Sequence, residues 1–257
     1  MKSRYDNGIY KNDFAKCVNI NAGFKDINRH LVHYYISKIN SPLLNKKLEY
    51  KDLLKELQVV DEQYNPLNIG LMMFSHNPEV FVPSCYIRMI CKIMKQEVSF
   101  KGPVDYQFSR ILSYISNCVL AVKIYKIPGQ AEALRIKNYN YDVLKELVAS
   151  SICFNDYKVE EPITILVEED EIIITYHSYV FNNCDVDDSI SEMSTYANTM
   201  IGKYLKELDL IDRKSYFLDK CIKDSSLPKF VVNCSDGLIK IIILIDDNFL
   251  NYSQKNN

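Results

Sequence analysis

The stretch from Tyr141 to Phe181 limits the fold most, because it places a helix directly before two strands joined by an acidic turn. It reads YDVLKELVASSICFNDYKVEEPITILVEEDEIIITYHSYVF. Leu144, Leu147 and Val148 recur at helical spacing, as one buried helix face requires. Ile163, Ile165 and Val167, then Ile172 and Ile174, alternate as strands with one buried face do. Glu168-Glu169-Asp170-Glu171 is solvated charge at the hairpin tip, where it discourages edge-to-edge strand pairing. A helix laid on a sheet follows, and Leu205, Leu208 and Ile211 continue the apolar pattern.

The rest of the chain divides around this layer. Residues 1–23 are polar and weakly patterned, a flexible N-terminal segment. Residues 24–120 form a helix-rich part with an embedded strand. Helices are predicted over Asp26–Ile39, Tyr50–Leu57 and Pro66–Phe74, the last ending near His76-Asn77-Pro78, where proline forbids continuation. A strand is predicted over Cys85–Met94, and a long helix opens at Pro103 and runs to about Leu120; proline suits a first helical turn because its missing N–H has no partner there. Residues 121–250 hold a strand over Val122–Ile127, a helix at 140–154, strands near 162–167 and 171–176, a helix at 198–209 and a strand over Leu238–Asp246. The tail 251–257 is polar and disordered. The fold class is α+β.

Bulk properties narrow the function. The 31 basic and 33 acidic residues among 257 give a net charge of −2, so composition announces no dominant phosphate-binding surface. The longest apolar runs, such as Ile241 to Ile245, are too short to cross a bilayer, and polar residues follow Met1 in place of a secretory signal. The 8 cysteines are scattered without a C-x-x-C pair, which reads as reduced thiols in a cytoplasmic protein with no membrane association.

Several motifs occur in a fixed order along this scaffold. LKELQVVDEQYNPLNIGLMMF, with Asn68 and Gly70, is similar to L-x-x-L-G-L-I-D … T-N-A-G-L-L-L-F, and Phe100-Lys101-Gly102-Pro103 is close to F-x-G-P. Together with the 141–181 stretch they resemble the C-terminal region of the RecG-like, ATPase-related putative transcriptional regulators that follow a Schlafen AlbA domain. The resemblance covers nearly the whole chain after residue 23. It implies that Gly8-Ile9-Tyr10 is the remnant of the strand that ends the AlbA domain, which is itself missing. It also implies a helix-rich N-terminal part packed on a small GHKL-ATPase-like helix-on-sheet layer.

Against that pattern the chemistry is depleted. An ATP site of this kind needs a helix carboxylate and an amide one turn later to hold magnesium on the phosphates, and glycines that let backbone N–H groups approach. Glu146 stands at the family glutamate, and Ser150 replaces the family asparagine of E-A-L-x-N-A. H-R-D-Y becomes Phe154-Asn155-Asp156-Tyr157, keeping the acid and the aromatic ring. N-P-G-G-L becomes Tyr176-His177-Ser178-Tyr179-Val180, R-N-P keeps only Asn198, and G-R-G-I becomes Lys214-Ser215-Tyr216-Phe217. The remaining cofactor-binding positions are therefore Glu146, Ser150, Asp156 and Asn198. Tyrosine rings fill the space that adenine or its contacts would occupy, so no cofactor is expected. ATP with magnesium is the alternative.

Other arrangements point to no chemistry. His30 and His33 share a helix without a third metal ligand. Cys85 and Cys91 fall on one face of the predicted strand, as buried thiols do. Cys153 and His177 would be the thiol and imidazole of a nucleophilic pair, and nothing in the sequence joins them. Asp185, Asp187 and Asp188 lack the glycine and glutamate of a calcium loop. Lys46-Lys47, with Arg88 and Lys92, are the best basic clusters for a phosphate backbone. The sequence is thus read as a non-catalytic regulatory or scaffolding protein, a pseudo-ATPase with no catalytic and no metal-binding residue. It works through a protein partner or self-association as a dimer, with any nucleic acid reached through that partner. The alternatives are a weak magnesium-nucleotide binder and a DNA-binding transcriptional regulator.

Overall fold

The computed structural model describes residues 14–127, 129, 131–178, 198–211 and 230–250. Among them are α1 (Arg29–Lys38), α2 (Tyr50–Glu56), α3 (Asn68–Phe74), α4 (Val104–Tyr114), α5 (Tyr141–Phe154) and α6 (Thr199–Glu207). The strands are β1 (Ile87–Cys91), β2 (Gln96–Phe100), β3 (Val122–Tyr125), β4 (Leu134–Lys137), β5 (Ile163–Val167), β6 (Glu171–His177), β7 (Phe230–Ser235) and β8 (Leu238–Leu244). Helices and a mixed sheet make the fold α+β.

The six-stranded sheet has the order β2-β1-β5-β6-β8-β7, and β3 and β4 form a separate hairpin. Among the described strands only β1 and β5 pair in parallel. A parallel pair needs a long crossover, and here it carries α4, the β3–β4 hairpin and α5. Strands from before residue 121 (β1, β2) and after it (β5, β6, β7, β8) thus share one sheet.

One face of that sheet is the core. Ile87, Met89 and Cys91 lie level with Ile163, Ile165 and Val167. The row continues through Ile172, Ile174 and Tyr176 to Ile243, Ile241 and Ile239. All twelve are buried, and full burial of each aliphatic side chain contributes about 1.5–3 kcal/mol. Packing of this face therefore outweighs any single polar contact nearby. Helix α5 lies on it, touching β6, α4 and α6. Asn140 caps α5 by accepting from the amides of Asp142 and Val143 at 2.9 and 3.3 Å. From Leu147 to Phe154 every α5 residue is buried, the signature of a helix covered on all sides.

Helix α3 is buried along its whole length. It fits because of Gly70, whose Cβ would stand 2.5 Å from the Val59 carbonyl oxygen and 3.0 Å from Val59 Cβ. Asn68 anchors the start of the chain: its amide donates to Phe14 O at 2.9 Å and its oxygen accepts from Asn19 at 2.9 Å. The two positions that match the family motif are therefore occupied with packing and anchoring.

Three differences from the expected elements have local causes. Helix α1 starts at Arg29, after a 3₁₀ turn over Phe24–Asp26, because Asn28 accepts from the amides of His30 and Leu31. The helix opened at Pro103 is regular only to Tyr114 and then widens into a π-turn over Ile115–Val119, where the Leu120 N–H reaches Ile115 O at 2.9 Å. The strand predicted over Cys85–Met94 is shorter, so Cys85 precedes β1, and a turn with Lys95 at φ 54° leads into β2.

Candidate functional site

Of the four expected residues, Glu146 and Ser150 lie on α5, and Asp156 and Asn198 lie beside its C-terminal end. Glu146 is half-buried and Ser150, one turn on, is buried. Asp156 follows the helix end: its N–H donates to His177 O at 2.7 Å and its carboxylate accepts from the Lys158 amide at 3.1 Å. Asn198 is 1% exposed. Its side-chain amide donates to Cys153 O at 3.1 Å and to Asn155 O at 2.8 Å, and its backbone N–H adds a bond to Cys153 O at 3.0 Å. Asn198 therefore joins the end of α5 to the start of α6. Its two amide hydrogens are committed to main-chain acceptors left open at the helix terminus. Among the described residues, no group of three His, Cys, Asp or Glu side chains is placed to hold a metal ion.

Tyr176 decides how much room this layer has. Alternation along β6 turns its ring inward with Ile172 and Ile174, and it is 1% exposed. Its hydroxyl has no hydrogen-bond partner, and burial drives its pKa above the ordinary range of a phenol. Asn155, 0% exposed, also has neither carboxamide atom paired. Two buried side chains, Asn155 and Tyr176, thus stand at the end of α5 and the end of β6. Tyr179, Val180, Asp185, Asp187, Asp188 and Lys214 to Phe217 lie outside the described residues.

No nucleophilic pair forms here. The His177 ring sits 2.8 Å from the Glu161 carboxylate. Cys153 is buried and burial pushes its thiol up to about 12; Cys85 is pushed to about 12 for the same reason. Thiols of that kind are protonated and inert near neutral pH.

Three of the four basic residues singled out in the sequence are engaged with acids. Arg88 meets Glu97 at 2.7 Å, Lys92 pairs with Glu168, and Lys46 lies 3.6 Å from Glu56. His30 and His33 are exposed on α1.

Sequence reasoning missed a cleft of about 710 Å³ between α1 and α4. Its lining includes Tyr34, Lys38, His76, Lys101, Asp105 and Tyr106. Its floor is the turn at Gly102, which adopts φ 99°, a left-handed conformation that suits glycine. Gln107 pins this turn, donating to Gly102 O at 2.6 Å and to Cys85 O at 2.9 Å. The F-x-G-P motif thus shapes a cleft wall as well as starting a helix. Burial pushes the Asp105 carboxyl up, against the opposing pull of amide hydrogen bonds and Lys38. A second cleft of about 410 Å³ lies between α4, the start of α5 and the end of α6. Neither cleft is lined by Glu146, Ser150, Asp156 or Asn198.

No family model matches the sequence, and a comparison with curated proteins finds no match. The fold is similar to that of a crystal structure, the DIP2311 protein of Corynebacterium diphtheriae. The TM-score is 0.64 and the identity 13%, covering 91% of this chain. The chain spans about half of that protein, 48% of its length. At this identity the likeness shows the shared fold alone.

Proposed function

We propose that this protein acts without catalysis, as a regulatory or scaffolding protein related to the AlbA-associated putative transcriptional regulators that its motifs resemble. The observation that carries this reading is the buried Tyr176 ring at the end of β6, where a phosphate-bearing ligand would need bare backbone N–H groups. The commitment of Asn198 to Cys153 O and Asn155 O supports it: an amide already bonded to main-chain oxygens has no hydrogen left for a nucleotide.

A role through protein contact is supported by the outer face of the sheet. Ile90, Leu166, Ile173, Ile242 and Val231 form one cross-strand row, and Val231 is 48% exposed. The neighbouring row on one side carries Arg88, paired with Glu97, and Lys240, and the row on the other carries Glu171 and the Lys92–Glu168 pair. A two-fold axis along the apolar row sets that row of one copy against the same row of its partner. Six strands about 4.8 Å apart make a face about 29 Å wide, of the order needed to bury about 800 Å² per partner. The partner we favour is therefore a second copy of this chain.

Two measurements test the reading. Calorimetry with ATP and magnesium should give no heat of binding; a micromolar affinity lost in Glu146→Ala would overturn the non-catalytic assignment in favour of a nucleotide binder. Light scattering should give a dimer that Leu166→Glu converts to a monomer. A wild-type monomer at about 100 μM, far above the Kd of a standard interface, would remove self-association.

A further inference from the structure

We propose that the cleft between α1 and α4 binds single-stranded nucleic acid, with bases stacking on Tyr34 and Tyr106 and backbone phosphates held by Lys38 and Lys101. This goes beyond the function proposed above and uses a different surface, so it stands or falls separately.

The two tyrosines are the first observation. Tyr176 and Tyr204 are buried in the core, whereas Tyr34 and Tyr106 are 57% and 53% exposed on the two helices that wall the cleft. An exposed aromatic ring with no core role offers a π-face that any base can stack upon.

Charge is the second. The sequence of α1, RHLVHYYISK, contains no acid, and its Arg29, His30, His33, Tyr34, Ser37 and Lys38 are all exposed. Cations stand beside the rings: Lys38 lies 5.7 Å from the Tyr34 centroid, and the Arg110 guanidinium lies 5.2 Å from that of Tyr106. Lys101 and His76 also line the cleft. Asp105 is the one acid among the lining residues, and the helix amides it bonds offset its charge.

The shape is the third. A volume of about 710 Å³ falls within the ~300–1,000 Å³ typical of sites for organic ligands, so unstacked bases can enter. A duplex keeps its base faces covered and cannot use the tyrosines. A groove that combines cations for the backbone with rings for the bases is how sequence-tolerant single-strand binders work. Arg88 and Lys92, by contrast, are already paired with Glu97 and Glu168.

Fluorescence anisotropy of the full chain with labelled oligo(dT) and oligo(rU) of about a dozen nucleotides, and with a duplex of equal length, tests this. Single strands should bind, with affinity falling steeply as salt rises. Tyr34→Ala and Tyr106→Ala should each weaken binding about fivefold or more, while Tyr34→Phe and Tyr106→Phe retain it because stacking uses the ring. Lys38→Ala and Lys101→Ala should each flatten the salt dependence by about 0.7 of a slope unit, and Lys46→Ala should change nothing. Thermal melts establish that each variant is folded. A preference for dT or rU identifies DNA or RNA as the strand. The proposal is overturned by no binding at low salt, by a folded Tyr34→Ala/Tyr106→Ala double variant that binds like wild type, or by duplex binding as tight as single-strand binding.

Discussion

The Tyr35 hydroxyl donates a hydrogen bond to the Glu207 carboxylate, joining α1 to α6 across 172 positions of sequence. Around it the rings of Tyr35, Phe74 and Tyr204 meet with centroids 5.0 to 5.7 Å apart. Helices from both halves of the chain are held at this point. Because Glu207 is exposed, water weakens the charged bond, and Tyr35→Phe should cost about 1 kcal/mol. A double-mutant cycle with Glu207→Gln checks it: coupling below about 0.3 kcal/mol would show that the rings alone join the helices.

Tyr176 and Tyr204 should respond in opposite directions to loss of the hydroxyl. The Tyr204 hydroxyl donates to Leu57 O at 2.7 Å, so Tyr204→Phe leaves a buried carbonyl unpaired and should destabilise by about 1–2 kcal/mol. The Tyr176 hydroxyl is buried without a partner, so Tyr176→Phe removes a desolvated group and should be neutral or stabilise by up to about 1 kcal/mol. Urea denaturation of both variants is the measurement, and equal losses would contradict the assignment of Tyr176 as an unpaired filler.

Asn198→Ala should destabilise by about 1–3 kcal/mol, because Asn155 O loses its side-chain donor and Cys153 O keeps only the Asn198 backbone N–H. Asn198→Asp should be worse, since it sets a carboxylate against carbonyl oxygens. If Asn198→Ala keeps wild-type stability but alters ATP binding, Asn198 is a ligand-binding residue and its structural role is wrong.

Gly70→Ala places a methyl group 2.5 Å from Val59 O and 3.2 Å from Ile27 Cδ1. The nearest atom is backbone, which cannot swing aside as a side chain would. Overpacking of this kind costs about 1–3 kcal/mol. A fall in Tm of several degrees in a thermal melt is the expected result, and an unchanged Tm would show that the backbone at Val59 yields freely.

Stability should decline on the alkaline side. Burial holds the Tyr139 phenol at about 12 against an ordinary 10.0, and the Cys85 and Cys153 thiols at about 12 against 9.0. Folded values above unfolded ones give stability that is complete below the unfolded pKa and is lost as pH rises through the window up to the folded one. The urea midpoint, measured under reducing conditions, should therefore be steady below about pH 8.5 and fall progressively towards pH 12. A midpoint unchanged between about pH 8.5 and 11 would mean that these groups ionise in the folded state.

Much of the scaffold was legible because its signals are local. Alternation in Ile163–Val167 and Ile172–Ile174 and helical spacing in 141–154 identified the central layer, since period follows directly from which face is buried. Strands β2, β4 and β7 escaped for a related reason. β2 and β7 are sheet edges and β4 belongs to a two-stranded hairpin, so each buries little and its pattern, such as Gln-Glu-Val-Ser-Phe in β2, reads as polar. Asn198 was picked out as a ligand-binding position, yet its type and spacing carry no record of the carbonyls that it meets at Cys153 and Asn155.

The sequence by itself determined the α+β layering, because periodicity is a property of consecutive residues. Only the tertiary structure decided that Arg88 and Lys92 are neutralised while Lys38 and Lys101 line an aromatic cleft. Whether a charge is paired depends on which distant segments are brought together. Tyr34 and Tyr106 lie far apart in the chain and share a cleft only because α1 and α4 both pack against α3.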